Sequence, residues 1–213
     1  MNNENRKIIF LFPLLIYLIS ALVGCTSSQE RRILVVHSYE ETYTAYPEFN
    51  RLIAKQFKKE GVNADIRTLY LDCESYKEET ELKRMRYLLD SVSGDWRPEV
   101  ILVNEDQATY SLLKCGDPLV KEVPVVFAGV NYPNWELLKQ YPNATGFHDK
   151  IGFVQNAEMA RKLFGDSVRL FTLLDSTFLD VQIRKDARKQ LAGHRVTGFM
   201  DYPDIPSVEQ YRL

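Results

Sequence analysis

Polar and aromatic side chains suited to ligand binding follow the apolar runs of this chain at regular intervals. His37, Ser38 and Tyr39 come directly after the run Ile-Leu-Val-Val at 33–36. Similar groups follow three later runs and comprise Asn104, Asp106, Gly129, Asn131, Asp175 and Ser176. Together they supply hydrogen-bond donors, acceptors and an aromatic face, which a pocket for a small polar or aromatic molecule requires. The sequence therefore predicts a ligand-binding site made of these residues.

Each of these residues also has a purely structural interpretation. His37 could satisfy nearby backbone groups, and Asn, Asp or Ser at the start of a helix is often only a cap. Gly129 could merely permit a tight turn. Taken singly, the residues favour capping, so the ligand-binding hypothesis depends on their convergence at one place. Three tyrosines crowd the loop at 39–46. Capping explains that cluster less readily, and a packed loop wall is the alternative to ligand contact.

Catalytic motifs are absent from the sequence or match poorly. Ser38 lacks the flanking glycines of a nucleophile elbow. No glycine-rich phosphate loop follows the first apolar run. His37 and Asp106 could act as a base and its orienting carboxylate, but no nucleophile motif accompanies them. Because no Cys-x-x-Cys or Cys/His cluster occurs either, we predict a binding protein rather than an enzyme, with no cofactor and no metal.

Alternating strands and helices are predicted to position the candidate residues. Runs that are apolar on both faces are typical of strands covered on both sides, and they occur at 33–36, 64–71, 100–103 and 123–130. Amphipathic helices are predicted between them at 46–60, 77–92 and 107–114. This alternation predicts right-handed crossovers and an α/β fold with parallel, doubly wound sheets. In such sheets ligands bind outside the carboxyl ends of the strands.

The same pattern restarts after residue 152. Helices are predicted at 153–164 and 179–191, and strands at 168–174 and 196–200. The intervening segment contains Pro133, Pro142 and Gly146, which are typical of a connection. We therefore predict a first lobe at 32–131, an inter-lobe crossover at 132–152 and a partial second lobe at 153–213.

The N-terminal segment predicts export. Arg6 and Lys7 precede an apolar run at 8–21, as in a secretory signal peptide. The segment ends on Leu-Val-Gly-Cys and resembles a bacterial lipoprotein signal, in which Cys25 would be acylated. An uncleaved anchor helix is the alternative. A spanning helix needs about 20 apolar residues, and the apolar run counted through Val23 comes close to that length. We predict a signal peptide at 1–25, a tether at 26–31, and an extracytoplasmic protein that a lipid anchors to a membrane of the cell envelope.

The net charge of the chain limits the kinds of molecule that it could bind. The chain has 27 Lys and Arg against 29 Asp and Glu, so its net charge is −2. No broad basic face is implied, which argues against nucleic acid as a partner.

The predicted sheet places Cys73 and Cys115 at opposite ends. This is too far apart for a disulfide, whose Cα atoms lie about 7 Å apart at most. We therefore predict two free, mostly buried thiols.

Several segments together resemble a known group of proteins. They include His-Ser-Tyr at 37–39, Asn-Glu-Asp at 104–106, Pro-Val-Val-Phe-Ala-Gly-Val-Asn at 124–131 and Asn-Ala-Thr-Gly at 143–146. In this order they resemble type 1 periplasmic-binding-protein-like domains. That group includes uncharacterised ABC-transporter substrate-binding proteins and the extracytoplasmic sensor domains of bacterial histidine kinases, often hybrid ones. The resemblance implies a two-lobed fold with a ligand cleft between the lobes, and a second lobe that is incomplete in this chain.

Two functions follow as hypotheses. The first is a membrane-anchored solute-binding lipoprotein that captures a small polar or aromatic ligand and delivers it to an ABC permease. The second is the ligand-sensing domain of a two-component histidine kinase, in which the ligand would favour a closed state of the lobes. The lipoprotein signal favours the first hypothesis, because a kinase sensor domain usually lies between two spanning helices.

Overall fold

The apolar runs form the strands of one parallel sheet in the computed structural model, which describes residues 29–168, 174 and 178–194. The five strands are β1 (Arg31–His37), β2 (Ala64–Tyr70), β3 (Val100–Asn104), β4 (Val125–Val130) and β5 (Ala144–His148). Their order in the sheet is β2-β1-β3-β4-β5, and every neighbouring pair is parallel. The α/β class and the parallel sheet are therefore confirmed.

Helices connect the strands as the periodicity predicted. They are α1 (Tyr46–Lys59), α2 (Glu78–Ser93), α3 (Glu105–Lys114), α4 (Leu119–Glu122), α5 (Trp135–Leu138), α6 (Phe153–Phe164) and α7 (Phe178–Gln190). The long helices lie within two residues of their predicted ends. The signal segment with Cys25, the tips at Asp175 and Ser176, and most of the predicted second-lobe strands lie outside the described residues.

One strand was not predicted. Residues 132–152 were assigned to a crossover, but Ala144–His148 form β5 and extend the first sheet beyond residue 131. Gly146, which suggested a connection, is instead a point of close strand packing. A Cβ at this position would lie 2.0 Å from the carbonyl oxygen of Phe127 on β4. Glycine in a strand often marks such an approach of another backbone.

The main core lies between the sheet and the pair of helices α2 and α3. Side chains alternate across a strand, so Leu34 and Val36 of β1 face these helices and are fully buried. Met85 and Leu112 meet them from α2 and α3. The opposite face carries His37, whose ring packs against α1. Helices thus cover β1 from both sides, as its continuous apolar run predicted.

Both cysteines of the described region are free. Cys115 is buried at the end of α3, and Cys73 is partly buried in the loop that follows β2. Burial raises the pKa of both thiols. This confirms the prediction of two unpaired, largely buried cysteines. Among residues 29–168 and 178–194, no helix has the length and apolar character needed to cross a bilayer.

Candidate ligand-binding site

The order of the strands creates a switch point between β1 and β3. The chain leaves β1 towards β2 on one side and leaves β3 towards β4 on the other. A crevice forms where the direction reverses, at the carboxyl ends of the two strands. Residues 37–39 and 104–106 lie at these ends. The tertiary structure therefore brings two of the predicted groups together.

His37 is fully buried and forms hydrogen bonds with two asparagines. Its Nδ1 accepts from Asn104 Nδ2 at 2.9 Å, and its Nε2 donates to Asn50 Oδ1 at 2.8 Å. The imidazole also stacks on Tyr46, with ring centroids 3.9 Å apart. Burial lowers the pKa of His37, which suits the neutral tautomer that these bonds require. The base–carboxylate pair considered for His37 and Asp106 does not occur, since both ring nitrogens bond to asparagine.

Ser38 joins β1 to the start of α3. Its hydroxyl donates to the backbone oxygen of Asn104 at 3.0 Å and accepts from the backbone nitrogen of Ala108 at 2.9 Å. The side chain is fully buried. This hydroxyl caps the first turn of α3 from a neighbouring strand, a role usually filled by the residue that precedes the helix. Ser38 therefore positions α3 within the crevice wall.

Asp106 holds the loop that follows β4. Its carboxylate accepts the backbone N–H groups of Asn131 and Tyr132, both at 2.9 Å, and lies 3.4 Å from the side-chain nitrogen of Asn131. The residue is fully buried. Asn131 also donates to the carbonyl oxygen of Gly129 at 3.3 Å. Hydrogen bonds thus join Asp106, Gly129 and Asn131 at the carboxyl end of β4.

Aromatic rings gather at the crevice, where Tyr43 is exposed, Tyr39 is partly buried and Tyr46 is buried. The ring centroids of Tyr39 and Tyr43 are 4.8 Å apart, and those of Tyr43 and Tyr46 are 4.9 Å apart. The Tyr46 hydroxyl accepts from the backbone nitrogen of Tyr39 at 3.0 Å and donates to Glu105 Oε2 at 3.2 Å. Tyr39 and Glu105 are only partly buried. We call Tyr39, Tyr43, Tyr46 and Glu105 the tyrosine–carboxylate cluster.

Glu105 has an unusual backbone conformation. Its φ is 72°, in the left-handed region, although it is not a glycine. Such conformations cost about 1–3 kcal/mol and are found preferentially at functional sites. Burial raises the pKa of the Glu105 carboxyl, and the nearby Asp106 carboxylate raises it further, while the bond from Tyr46 opposes this. Glu105 was not among the predicted site residues, because nothing in the run Asn-Glu-Asp distinguishes its middle residue.

A cavity of about 540 Å³ lies beside the loop that follows β4. Asn131, Tyr132 and Trp135 line it from the β4–β5 connection, and Gln182 and Asp186 line it from α7. The Tyr132 hydroxyl is buried there without a hydrogen-bond partner. Burial and the carboxylates of Asp186 and Asp106 raise the pKa of Tyr132 to about 12. We call this space the inter-lobe cavity, since Asn131 of the predicted first lobe and α7 of the predicted second lobe both border it.

The seven predicted site residues within the described part of the chain thus lie at one edge of the sheet but differ in accessibility. Four of them, His37, Ser38, Asn104 and Asp106, are buried and bonded within the protein. Tyr39, Gly129 and Asn131 are partly buried and lie closer to open space. Ligand contact by any of them stays a prediction. Within the described ranges, no group of three or more His, Cys, Asp or Glu side chains is placed to hold a metal ion.

Comparison with known proteins identifies the fold. No protein-family model and no curated protein sequence matches the chain. Among solved structures, a conserved domain protein from Vibrio cholerae is 16% identical with a TM-score of 0.59, covering 80% of this chain and 57% of its own. An ABC domain from Streptococcus pneumoniae in complex with L-Trp is also 16% identical with a TM-score of 0.59, covering 81% and 56%.

A periplasmic binding protein from Burkholderia mallei extends the same likeness. It is 13% identical with a TM-score of 0.52, and the match covers 87% of this chain and 50% of that one. The chain thus spans little more than half the length of these solved structures. At this level of identity the likeness concerns the fold. The chain has the type 1 periplasmic-binding-protein-like fold that its sequence predicted, with one sheet and the helices α6 and α7 of a second unit described.

Proposed function

We propose that this chain is an extracytoplasmic solute-binding protein that holds a small, amine-bearing ligand at the switch point of its first sheet. The observation that carries the proposal is the tyrosine–carboxylate cluster, which lies where this fold presents side chains to a ligand. Its aromatic rings offer apolar contact area, and its carboxylate offers one charged acceptor. A set of side chains of this composition suits an aromatic or aliphatic amine, including an amino acid.

The electrostatics of Glu105 support a cationic group on the ligand. The groups that act on its pKa are the hydroxyls of Tyr46 and Ser38 and the carboxylate of Asp106. None of these is a cation, so within the described part of the chain these groups stabilise the charge of Glu105 only through hydrogen bonds. An ammonium group would neutralise it and could also rest against the tyrosine rings, where cations are attracted to the aromatic face. The L-Trp complex of the pneumococcal structure agrees with an amine of this kind.

A ligand screen on the full-length chain tests the proposal. Amino acids, aromatic amines, sugars and neutral aromatic metabolites are compared by the rise in melting temperature that each produces. We expect amines to stabilise the protein, and Glu105→Gln to weaken their binding about 10–100-fold because a charge-assisted bond is lost. Glu79→Gln, on the exposed face of α2, is the matched control and should bind normally. If a sugar or a neutral ligand stabilises the protein most, the amine proposal fails.

We further propose that the protein is a lipoprotein anchored through Cys25 and that it delivers its ligand to an ABC permease. The lipoprotein-like end of the N-terminal segment supports the anchor, and the substrate-binding fold supports the transport role. Expression in a bacterial host with labelled palmitate tests the anchor. We expect the wild-type chain to carry the label in the membrane fraction and Cys25→Ala to lose it. Labelling that persists in Cys25→Ala would contradict the lipid anchor.

A further inference from the structure

A second cavity, of about 450 Å³, lies on the helical side of the sheet between the loop that follows β2 and helices α2 and α3. We call it the side pocket, and its wall includes Cys73, Tyr76, Glu81, Gln107, Tyr110 and Ser111. It shares no lining residue with the inter-lobe cavity. The proposed function does not use it, so its chemistry calls for a separate explanation.

The pocket contains a buried carboxylate whose second oxygen is unpaired. Glu81 is only 2% exposed. Its Oε1 accepts from the backbone nitrogen of Asp72 at 3.3 Å and lies 3.9 Å from an Arg84 nitrogen. Its Oε2 is buried and has no hydrogen-bond partner. A buried polar atom without a partner costs about 1–3 kcal/mol, and more when the group is charged.

A second unpaired acceptor lines the same pocket. The side-chain oxygen of Gln107 is buried and also lacks a hydrogen-bond partner. Buried polar groups in native proteins are nearly always bonded to protein, water or ligand. Two unpaired oxygens on one cavity wall therefore indicate an occupant that donates hydrogen bonds.

The remaining wall favours an organic cation over a metal ion. Calcium and magnesium take about six oxygen ligands, more than the two free oxygens offer. Among the described residues, Cys73 belongs to no group of three or more His, Cys, Asp or Glu side chains that could hold a softer metal. Tyr76 already carries the Arg84 guanidinium 4.3 Å from its ring centroid. The pocket thus combines acceptors and aromatic rings, the two features that bind ammonium groups, with Lys77 and Lys114 on its wall.

We propose that the side pocket is a second binding site, specific for a primary ammonium ion on an aromatic or alkyl body. Glu81 Oε2 and Gln107 Oε1 accept two of the three N–H bonds of the ammonium group. The body of the ligand lies against Tyr76 and Tyr110. Lys114, whose amine bonds to Glu78 at the rim, leaves the interior to the ligand.

Calorimetric titration of the full-length chain with phenethylamine tests this site. Phenethyltrimethylammonium keeps the charge but has no N–H group, and 2-phenylethanol keeps a donor but has no charge. We expect phenethylamine to bind and each analogue to bind at least about tenfold more weakly. If the quaternary analogue binds as well as phenethylamine, the unpaired oxygens do not recognise the ligand and the proposal is overturned.

Variants separate this site from the tyrosine–carboxylate cluster. Glu81→Gln retains an oxygen for the Asp72 N–H and removes the charge, so it should weaken side-pocket binding at least about tenfold. Its melting temperature without ligand should change little, because the Asp72 bond is kept, a buried charge is removed and only the long 3.9 Å contact with Arg84 is lost. Glu105→Gln should leave side-pocket binding unchanged. Gln107→Met, which removes the second acceptor, provides the same test if Glu81→Gln does not fold.

The outcomes distinguish the two proposals. Binding lost in Glu81→Gln but kept in Glu105→Gln supports the side pocket, whether or not the cluster binds amines. Binding lost only in Glu105→Gln places phenethylamine at the cluster and overturns the side-pocket proposal. A wild-type protein that shows no binding up to about 10 mM phenethylamine also overturns it, since water alone then satisfies the two oxygens.

Discussion

Replacement of Asp106 by alanine should destabilise the fold strongly, because this buried side chain fastens the loop that follows β4 to the start of α3. Two backbone N–H groups, those of Asn131 and Tyr132, bond to it at 2.9 Å. A hydrogen bond to a charged group contributes about 1.5–3 kcal/mol. Two such bonds give about 3–6 kcal/mol, and the cost of burying the carboxylate offsets part of it. We therefore expect Asp106→Ala to lower the free energy of unfolding by about 3 kcal/mol.

Two further variants calibrate this value. Asp106→Asn retains one acceptor oxygen but turns an amide nitrogen towards the second N–H group, so we expect a loss of about 1–3 kcal/mol. Asn131→Ala removes only the two long side-chain bonds, at 3.4 Å to Asp106 and 3.3 Å to the Gly129 oxygen. Bonds of this length are weak, and we expect a loss below about 1 kcal/mol.

Equilibrium unfolding in urea, followed by circular dichroism, measures the three variants. A change in the midpoint at constant slope reports stability alone. The reasoning is refuted if Asp106→Ala loses no more stability than Asn131→Ala. The loop would then hold its position without the carboxylate, and Asp106 would be available for a ligand. Asn131 and Tyr132 line the inter-lobe cavity. We therefore expect Asp106→Ala to weaken the binding of a ligand in that cavity as well as to lower stability.

Three other predictions concern single positions. Burial lowers the pKa of His37 below its usual 6.5, so the unfolded chain binds the proton more readily and stability should fall as the pH drops below about 6.5. Urea unfolding across that range should show a free energy of unfolding that falls with pH, and His37→Gln should flatten this dependence. Glu105→Gly should relieve the left-handed strain at φ 72° and raise the unfolding free energy by up to about 1 kcal/mol, while amine binding is lost in the melting-shift assay. Gly146→Ala should lower the free energy of unfolding in urea by at least about 2 kcal/mol, because the added Cβ would lie 2.0 Å from the Phe127 carbonyl oxygen. A stable Gly146→Ala protein would contradict the β4–β5 pairing.

The sequence predicted the elements of the first sheet well where one signal dominated. Continuous apolar runs identified β1, β3 and β4, because strands that are buried on both faces lack polar alternation. Helix α1 ends at Lys59, one residue before its predicted end, and Gly61 with φ 72° follows the C-cap residue Glu60. The short strand β5 was missed because the run Ala-Thr-Gly-Phe-His is neither apolar throughout nor regularly alternating. Its pairing with β4 decides its structure, and that pairing is tertiary.

The candidate site was predicted in location but not in the roles of its residues. Strand ends could be read from the sequence, so the convergence of residues 37–39 with 104–106 could be anticipated from parallel topology alone. The sequence could not tell which side chains point inward. Ser38 and Asp106 look alike as polar residues near strand ends, yet the first caps α3 and the second holds the loop after β4. Hydrogen-bond partners more than twenty residues away decide these roles.

The sequence by itself determined the α/β class, the parallel sheet and the edge at which the candidate residues 37–39 and 104–106 converge. These follow from local hydrophobic periodicity and from the right-handedness of crossovers, which require no knowledge of distant contacts. Only the tertiary structure decided that Glu105 adopts a left-handed conformation beside Tyr46, and that Glu81 and Gln107 leave unpaired oxygens in the side pocket. Accessibility and hydrogen bonding depend on which segments pack together, and that packing arises from the whole fold.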